Sequence, residues 1–323
     1  MPHRQDLLLL DAELREAWGI DVGSLQDAGW WELLERECPG GLVDRFRELH
    51  RAYVSAEVGG TPKSRSAERE FFDLVADERL LGRVHSHRRG VIIDTAAVVD
   101  DLVVSRKITG PMLDAGCHAG YLATWWARHS GLEVVGSDLS RPALELGRRR
   151  SVELGRSVEL VEADLLPEGG AGRFELIVAV DVLPEEIEGG LAGLERLAAG
   201  LVEGGWLVLS TGHRLDVAWN PLERVQRKLA EWGLGFVEAG CLGGVVSGGQ
   251  EPLGQNVFVL RRGDTTGLPG DCVEISQRDW PGFLEYASNP RVPDREKSQA
   301  WCGAVGQAVP DTSTGRVDQS GTA

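Results

Sequence analysis

Five cysteines in 323 residues (Cys38, Cys117, Cys241, Cys272 and Cys302) are odd in number and widely scattered. They suit no disulfide framework, and none stands in the C-x-x-C pair that would open a structural zinc site, so no metal is expected. Lysine is scarce: Lys63, Lys107, Lys228 and Lys297 are the only ones among 34 basic residues, against 50 acidic ones, for a formal net charge of −16. A nucleic-acid binder usually carries a basic stripe, because phosphate neutralisation supplies most of its affinity, so no nucleic-acid partner is expected. Long apolar runs are missing too. Nothing approaches the length that spans a bilayer, and Leu7–Leu10 is too short for a signal-peptide core and is flanked by Asp6, Asp11 and Glu13. The expectation is a soluble, cytoplasmic protein with no membrane partner. What remains is ordinary globular material, 42% hydrophobic and 26% charged, long enough for one large domain with additions or for two domains.

The first hundred or so residues read as helices. Apolar positions recur at helical spacing from Leu7 to Trp18, in a second helix carrying Leu25, Trp30, Trp31 and Leu34, and from Leu42 to Val58. Ser24 and Ser66 are candidate caps, with Glu68 and Glu70 in the first turn of the helix that carries Phe71, Phe72, Leu74 and Val75. A last helix is expected over Val91–Val104.

From Pro111 short apolar runs alternate with helical stretches. Met112–Ala115, Leu132–Ser137, Val158–Glu162, Leu176–Val180 and Trp206–Ser210 read as strands, and Leu122–His129, Pro142–Leu154 and Leu191–Leu201 as helices between them. This alternation argues for parallel βαβ units and a sheet covered on both faces. Leu222–Trp232 reads as a helix before two further strands near Phe236–Leu242 and Asn256–Leu260. After Arg262 the periodicity is lost. The expected division is a helical region 1–108, an α/β domain 109–263 and a largely disordered tail 264–323, in which Trp280–Tyr286 is an apolar island.

The informative stretch is Leu113-Asp114-Ala115-Gly116-Cys117-His118-Ala119-Gly120-Tyr121, which follows a strand and opens a helix. Its glycines allow close backbone approach to a ligand, and the helix N-terminus offers unpaired N–H groups. A dinucleotide fingerprint G-x-G-x-x-G is not met, because His118 and Tyr121 occupy its other glycine positions, and no G-K-[ST] follows for a P-loop. The stretch resembles motif I of the Rossmann-like, class I S-adenosylmethionine-dependent methyltransferases, an acidic residue followed by G-x-G-x-G. Asp114, Gly116 and Gly120 match, and His118 replaces the central glycine. Further matches follow in order: Asp138, with Leu139, at the end of the second strand; Asp164, with Leu165, after the third; Phe174–Leu183, containing Asp181, for the fourth; and Leu201–Ser210 for the turn into the fifth.

The resemblance implies a mostly parallel seven-stranded sheet with helices on both faces, preceded by the helical region. It implies S-adenosyl-L-methionine as cofactor, bound by Asp114, Gly116, His118, Gly120, Tyr121, Asp138, Leu139, Asp164, Leu165 and Asp181. In it Asp138 accepts from the ribose hydroxyls, Asp164 from the adenine amino group, and Asp181 borders methionine and acceptor. On its residues alone Asp181 reads either as a site residue or as the N-cap of a helix starting at Pro184-Glu185-Glu186. His213 reads either as a general base or as a loop histidine; it and Asp181 are the catalytic candidates. His85-Ser86-His87 reads as solvated or structural, Trp125 and Trp126 as packing against the sheet, and Cys117 as a small apolar filler.

The Asn/Asp-Pro-Pro-Tyr/Phe tetrad of amino-DNA methyltransferases and the Pro-Cys nucleophile of cytosine enzymes are absent. The expected reaction is therefore methyl transfer to an O, N or C nucleophile of a small molecule, a natural-product or metabolic intermediate. The N-terminal helices would wall the pocket or mediate homodimerisation. Two other readings stay open: a non-catalytic adenosyl-ligand-binding partner subunit, and an enzyme of this fold that uses the ligand without methyl transfer.

Overall fold

The alternation of side chains along the central strands builds two separate cores. Met112, Leu176, Val178, Trp206, Val208, Val257 and Val259 join one buried cluster, while their neighbours Leu113, Ile177, Ala179, Leu207, Leu209, Phe258 and Leu260 join another. Successive residues of a strand point to opposite faces, so strands that are apolar at every position belong to a sheet buried on both sides. The computed structural model describes residues 4–20, 28–59, 65–183, 187–211, 222–242, 255–263 and 276–277.

The strands are β1 (Met112–Ala115), β2 (Val134–Asp138), β3 (Glu159–Glu162), β4 (Phe174–Val180), β5 (Leu201–Thr211), β6 (Leu234–Leu242), β7 (Gln255–Arg262) and the two-residue β8 (Ser276–Gln277). They form one sheet in the order β3-β2-β1-β4-β5-β7-β6-β8. The first five are parallel, and β7 runs antiparallel between β5 and β6. The expected mostly parallel, seven-stranded sheet is thus present, with β8 as a short parallel addition beside β6.

After β1 the chain builds outward through β2 and β3, then returns to place β4 on the other side of β1. That reversal opens a crevice between the carboxyl ends of β1 and β4, where open α/β sheets bind their ligands.

Helices α7 (Tyr121–His129), α8 (Arg141–Glu153), α9 (Ile187–Gly200) and α10 (Leu222–Glu231) connect the strands. Ser140 caps α8 by accepting from the Ala143 N–H at 3.3 Å, and Pro142 lies in its first turn, where a missing N–H costs nothing. Trp125 and Trp126 are fully buried on α7, as core packing requires.

The N-terminal region consists of α1 (Arg4–Glu16), α2 (Ala28–Glu37), α3 (Gly40–Gly59), α4 (Arg65–Val75), α5 (Glu78–His85), a 3₁₀ turn (Ser86–Arg88) and α6 (Arg89–Arg106). Ser66 lies inside α4 instead of capping it, and Ser24 falls outside the described residues. α5 has no counterpart among the helices expected from the sequence; its cap is Asp77, accepting from the Arg79 N–H at 3.0 Å.

These helices divide their loyalties. Leu10, Leu14 and Trp18 near α1, and Val91, Ile92, Ala96 and Val99 of α6, belong to the main cluster beneath one face of the sheet. Leu34, Phe46, Phe71, Val75, Leu80 and Val84 of α2–α5 form a third core of their own. No helix of the described residues is long and apolar enough to cross a membrane.

Candidate functional site

The loop after β1 is held by backbone before any side chain acts. Gly116 N and Cys117 N both donate to Ser137 O on β2, at 2.7 and 2.9 Å. His118 N donates to Asp138 Oδ2 at 2.8 Å, and Ser140 N donates to Asp138 Oδ1, also at 2.8 Å. One carboxylate at the end of β2 therefore ties the β1 loop to the start of α8.

Gly116 and Gly120 adopt φ of +73° and +69°, a region that glycine enters without steric cost. Their lack of a side chain serves the protein's own packing: a Cβ on Gly116 would lie 2.2 Å from Val182 Cγ1, and one on Gly120 2.9 Å from Leu160 Cδ2. Gly116→Ala is expected to cost about 3 kcal/mol, combining backbone strain with overpacking, and to lower the melting temperature by roughly 6–12 °C in a thermal denaturation scan. An unchanged melting temperature would show that the loop relaxes away from Val182.

Of the four non-glycine residues at positive φ among the described residues, three also cluster here: His118 (+50°), Leu165 (+67°) and Asp181 (+57°). Each such residue costs on the order of 1–3 kcal/mol and persists only where its surroundings over-determine it. All three line one cavity of about 300 Å³. Asp114, Gly116, Tyr121, Asp138, Leu139 and Asp164 line it too, so nine of the ten residues expected to bind the cofactor converge there. Gly120 stands just behind, as the N-cap of α7. His213 lies outside the described residues.

The other wall comes from the N-terminal helices, through Phe71 and Phe72 of α4, Val84 and His85 of α5, Arg88, and Val91 and Ile92 of α6 among others. No motif announced these residues. The trace of those on α4 and α5 in the sequence is the amphipathic pattern of these helices, whereas α6 is buried on several sides and has no such pattern. His85, read as solvated or structural, is buried in this wall, its Nδ1 3.1 Å from the Tyr121 hydroxyl. The two parts of the chain are clamped by ion pairs that cross the seam: Arg88 with Asp181, Arg69 with Glu162, and Arg149 and Arg150 with Glu78.

Asp181 N–H donates to Ser210 O at 2.9 Å and its carboxylate is paired with Arg88. The expected helix start at Pro184-Glu185-Glu186 lies outside the described residues. Asp164 Oδ2 accepts from Arg196 Nη1 of α9 at 2.6 Å.

His118 is accommodated by the wall as well. Its ring is buried, lies 4.8 Å from the His85 ring and 5.9 Å from that of Phe72, and places Nε2 3.3 Å from Phe72 O. Nδ1 has no hydrogen-bond partner among the described residues, and burial lowers the imidazole's pKa, which favours the neutral ring.

Burial and the neighbouring Asp138 push the Asp114 carboxyl up to about 7, against the opposing pull of the Ala123 N–H in the first turn of α7. Burial, with Asp114 adding to it, raises the Tyr121 phenol and also the Cys117 thiol. Cys117 is thus the inert filler expected of it. Among the described residues, no three His, Cys, Asp or Glu side chains come together as a metal site.

Residues 112–205 match the family model described as "Methyltransferase domain". The chain is 30% identical over 165 residues to a ubiquinone biosynthesis O-methyltransferase of Ralstonia nicotianae, covering 50% of this chain and 64% of that protein. It is 28% identical over 182 residues to the protein of the same name from Proteus mirabilis, covering 55% and 68% respectively. The chain thus spans about two thirds of the length of these relatives. Among solved structures it is similar to a magnesium protoporphyrin IX methyltransferase from Synechocystis with bound S-adenosylmethionine. There the identity is 18% and the TM-score 0.47, over 61% of this chain and 96% of that one.

Proposed function

We propose that this chain, whose residues 112–205 match a methyltransferase-domain family model, is a class I S-adenosylmethionine-dependent methyltransferase that transfers the methyl group to a small-molecule acceptor. The observation that carries the reading is the cavity itself. It sits at the switch point of the sheet, gathers the motif residues on one side, and is walled by helices from outside the α/β domain on the other.

The residues present fit the donor. S-adenosylmethionine offers a sulfonium, an ammonium, two ribose hydroxyls and an adenine amino group, all suited to carboxylates, and Asp114, Asp138, Asp164 and Asp181 line the cavity. Each Asp138 oxygen accepts one backbone N–H and keeps acceptor capacity for a ribose hydroxyl. Asp164, after β3, is assigned to the adenine amino group. Asp114 faces the positive end of the donor. The His118 ring lies against Phe72 and His85, so the side chain that replaces a glycine of the motif is absorbed by the wall, and the departure gives no ground for a subunit without turnover.

When bound, the donor supplies a methyl carbon activated by positively charged sulfur. The chain's own contribution is alignment and the exclusion of water. On the N-terminal side Phe71, Phe72, Val84, Val91 and Ile92 supply apolar surface beside the polar His50, Glu68, Arg69, His85, Arg88 and Thr95, and a cavity of about 300 Å³ favours a small acceptor with an apolar part over a polynucleotide. The curated relatives are named as O-methyltransferases, which favours oxygen as the atom methylated. Asp181, paired with Arg88, holds the wall against β4 and is assigned a positioning role in preference to that of a base.

Calorimetric titration with S-adenosylhomocysteine is expected to give saturable, one-site binding. Incubation with S-adenosylmethionine and candidate acceptors is expected to give products heavier by one methyl group. No binding would overturn the reading. An acceptor transformed without gain of a methyl would establish an enzyme of this fold that uses the ligand differently.

A further inference from the structure

Tyr121 and His85 meet across the seam between the two parts of the chain. Tyr121 is the first residue of α7, directly after the motif glycine, and His85 is the last residue of α5. The phenol oxygen lies 3.1 Å from His85 Nδ1, a normal hydrogen-bond length, and both residues line the cavity. Their rings are fixed by neighbours: Tyr121 meets His85 edge-on at 5.7 Å and Trp18 at 6.1 Å, while His118 lies against His85 at 4.8 Å. Such a pair, pinned on both sides, is ordered before any ligand arrives. A tyrosine hydroxyl that donates to a histidine nitrogen still has lone pairs for a second donor.

We propose that Tyr121 and His85 are the proton-accepting pair for a hydroxyl of the methyl acceptor, which makes that acceptor an apolar molecule carrying an acidic hydroxyl of the phenol class. The proposal rests on the reading of the chain as a methyltransferase and names the acceptor side of the same cavity. The acceptor O–H donates to Tyr121 Oη, and the Tyr121 proton is donated to His85 Nδ1. As the acceptor oxygen forms its bond to the methyl carbon, the carbon–sulfur bond breaks and its electron pair stays on sulfur, leaving a neutral thioether. The acceptor proton moves to Tyr121 and the Tyr121 proton to His85. The phenol ends neutral and the imidazole ends as imidazolium.

Tyr121 touches the acceptor and is the catalytic residue; His85 acts through it. Burial, with Asp114 adding to it, keeps the Tyr121 phenol protonated, which suits a relay and not a standing phenolate. The ionisable groups that share the cavity with the pair are His50 on α3, Glu68 and Arg69 on α4, Arg88 on the 3₁₀ turn, Asp114 on β1, Cys117 and His118 on the loop, Asp138 on β2, Asp164 after β3 and Asp181 after β4. Phe71, Phe72, Val91 and Ile92 supply the apolar surface for the body of the acceptor.

The test uses the full chain, S-adenosylmethionine, and simple substituted phenols with pKa values from about 7 to about 10. Wild type is compared with Tyr121→Phe and His85→Gln, and S-adenosylhomocysteine binding serves as the check on folding and on the donor site. S-adenosylhomocysteine binding by each variant sets the donor concentration needed for saturation, and at saturation both are expected to lose roughly 10²-fold in kcat, the usual scale of general-base catalysis. The pH profile separates a proton acceptor from a structural support. Below the phenol's own pKa the variants depend on phenolate from solution, so their rate rises about tenfold per pH unit, while wild type shows a shallower rise. Variants with undiminished kcat, or with the wild-type pH profile, overturn the assignment of the pair. A wild type that binds S-adenosylhomocysteine and methylates none of the phenols overturns it as well, and leaves the donor reading standing. A wild type that binds no S-adenosylhomocysteine removes both.

Discussion

Asp138→Ala is expected to weaken S-adenosylhomocysteine binding by 10²-fold or more, the largest loss of any single substitution in the cavity. The carboxylate has two jobs that the methyl group of alanine cannot do. Under the proposed function it accepts two ribose hydroxyls, and hydrogen bonds to a charged group are each worth roughly 1.5–3 kcal/mol. It also accepts the His118 and Ser140 N–H groups, which fix the β1 loop and the start of α8. Asp138→Asn separates the two jobs. Its carbonyl can accept one of these partners, so binding should fall by a smaller factor of roughly 10–50, with the lost charge and one lost acceptor as the causes. Calorimetric titration measures both, and thermal denaturation reports how much of the Asp138→Ala effect comes from a loosened loop. Binding by Asp138→Ala within fivefold of wild type would place the ribose elsewhere.

A second large effect concerns pH. With its carboxyl pushed up to about 7 by burial and by Asp138, Asp114 is a carboxylate the free protein holds at a cost. The unfolded chain titrates near 3.8 and the folded one near 7. The folded state therefore binds more protons between these values, and stability is full below the lower and declines as pH rises to the upper, by roughly 4 kcal/mol at most. A ligand with a positive charge beside Asp114 reverses the preference and drives the proton off. Affinity for S-adenosylmethionine is thus expected to rise with pH, up to about tenfold per unit below 7, and to level off above it.

Asp114→Asn gives this linkage a double signature. The variant should lose the pH dependence of binding and bind more weakly than wild type at pH 8. Without ligand it should melt at a higher temperature than wild type at pH 8, because the buried charge is gone and the amide oxygen can still accept the Ala123 N–H. Calorimetry at several pH values and a melting scan check both halves. A variant that is less stable than wild type at pH 8 would mean that Asp114 is needed charged for folding, and would sink the argument.

The stretch from Met112 to Arg262 was readable because each of its features is local. β1 occupies the expected Met112–Ala115, β3 is one residue shorter than expected, and the other strands are extended or shifted by one to five residues, because apolar runs between turn residues are the periodicity a buried parallel strand must have. The motif glycines are readable from the motif, and the structure adds a second reason for them: their missing side chains spare Val182 and Leu160. Asp181 is ambiguous in sequence because a short run of Pro and Glu downstream resembles a helix start, and its ion-pair partner, Arg88, stands 93 residues earlier in the chain.

By itself, then, the sequence determined the two-faced sheet, the order of the motif residues along it and the acidic character of the donor side. These follow from period-2 patterning and from residues at fixed positions after consecutive strands. Only the tertiary structure decided that α4, α5 and α6 close the cavity, that His118 finds room against Phe72 and His85, and that His85 meets Tyr121. The physical reason is distance along the chain. An amphipathic helix encodes that it has a face to bury, but which surface receives that face is settled by packing and by ion pairs that no local pattern records.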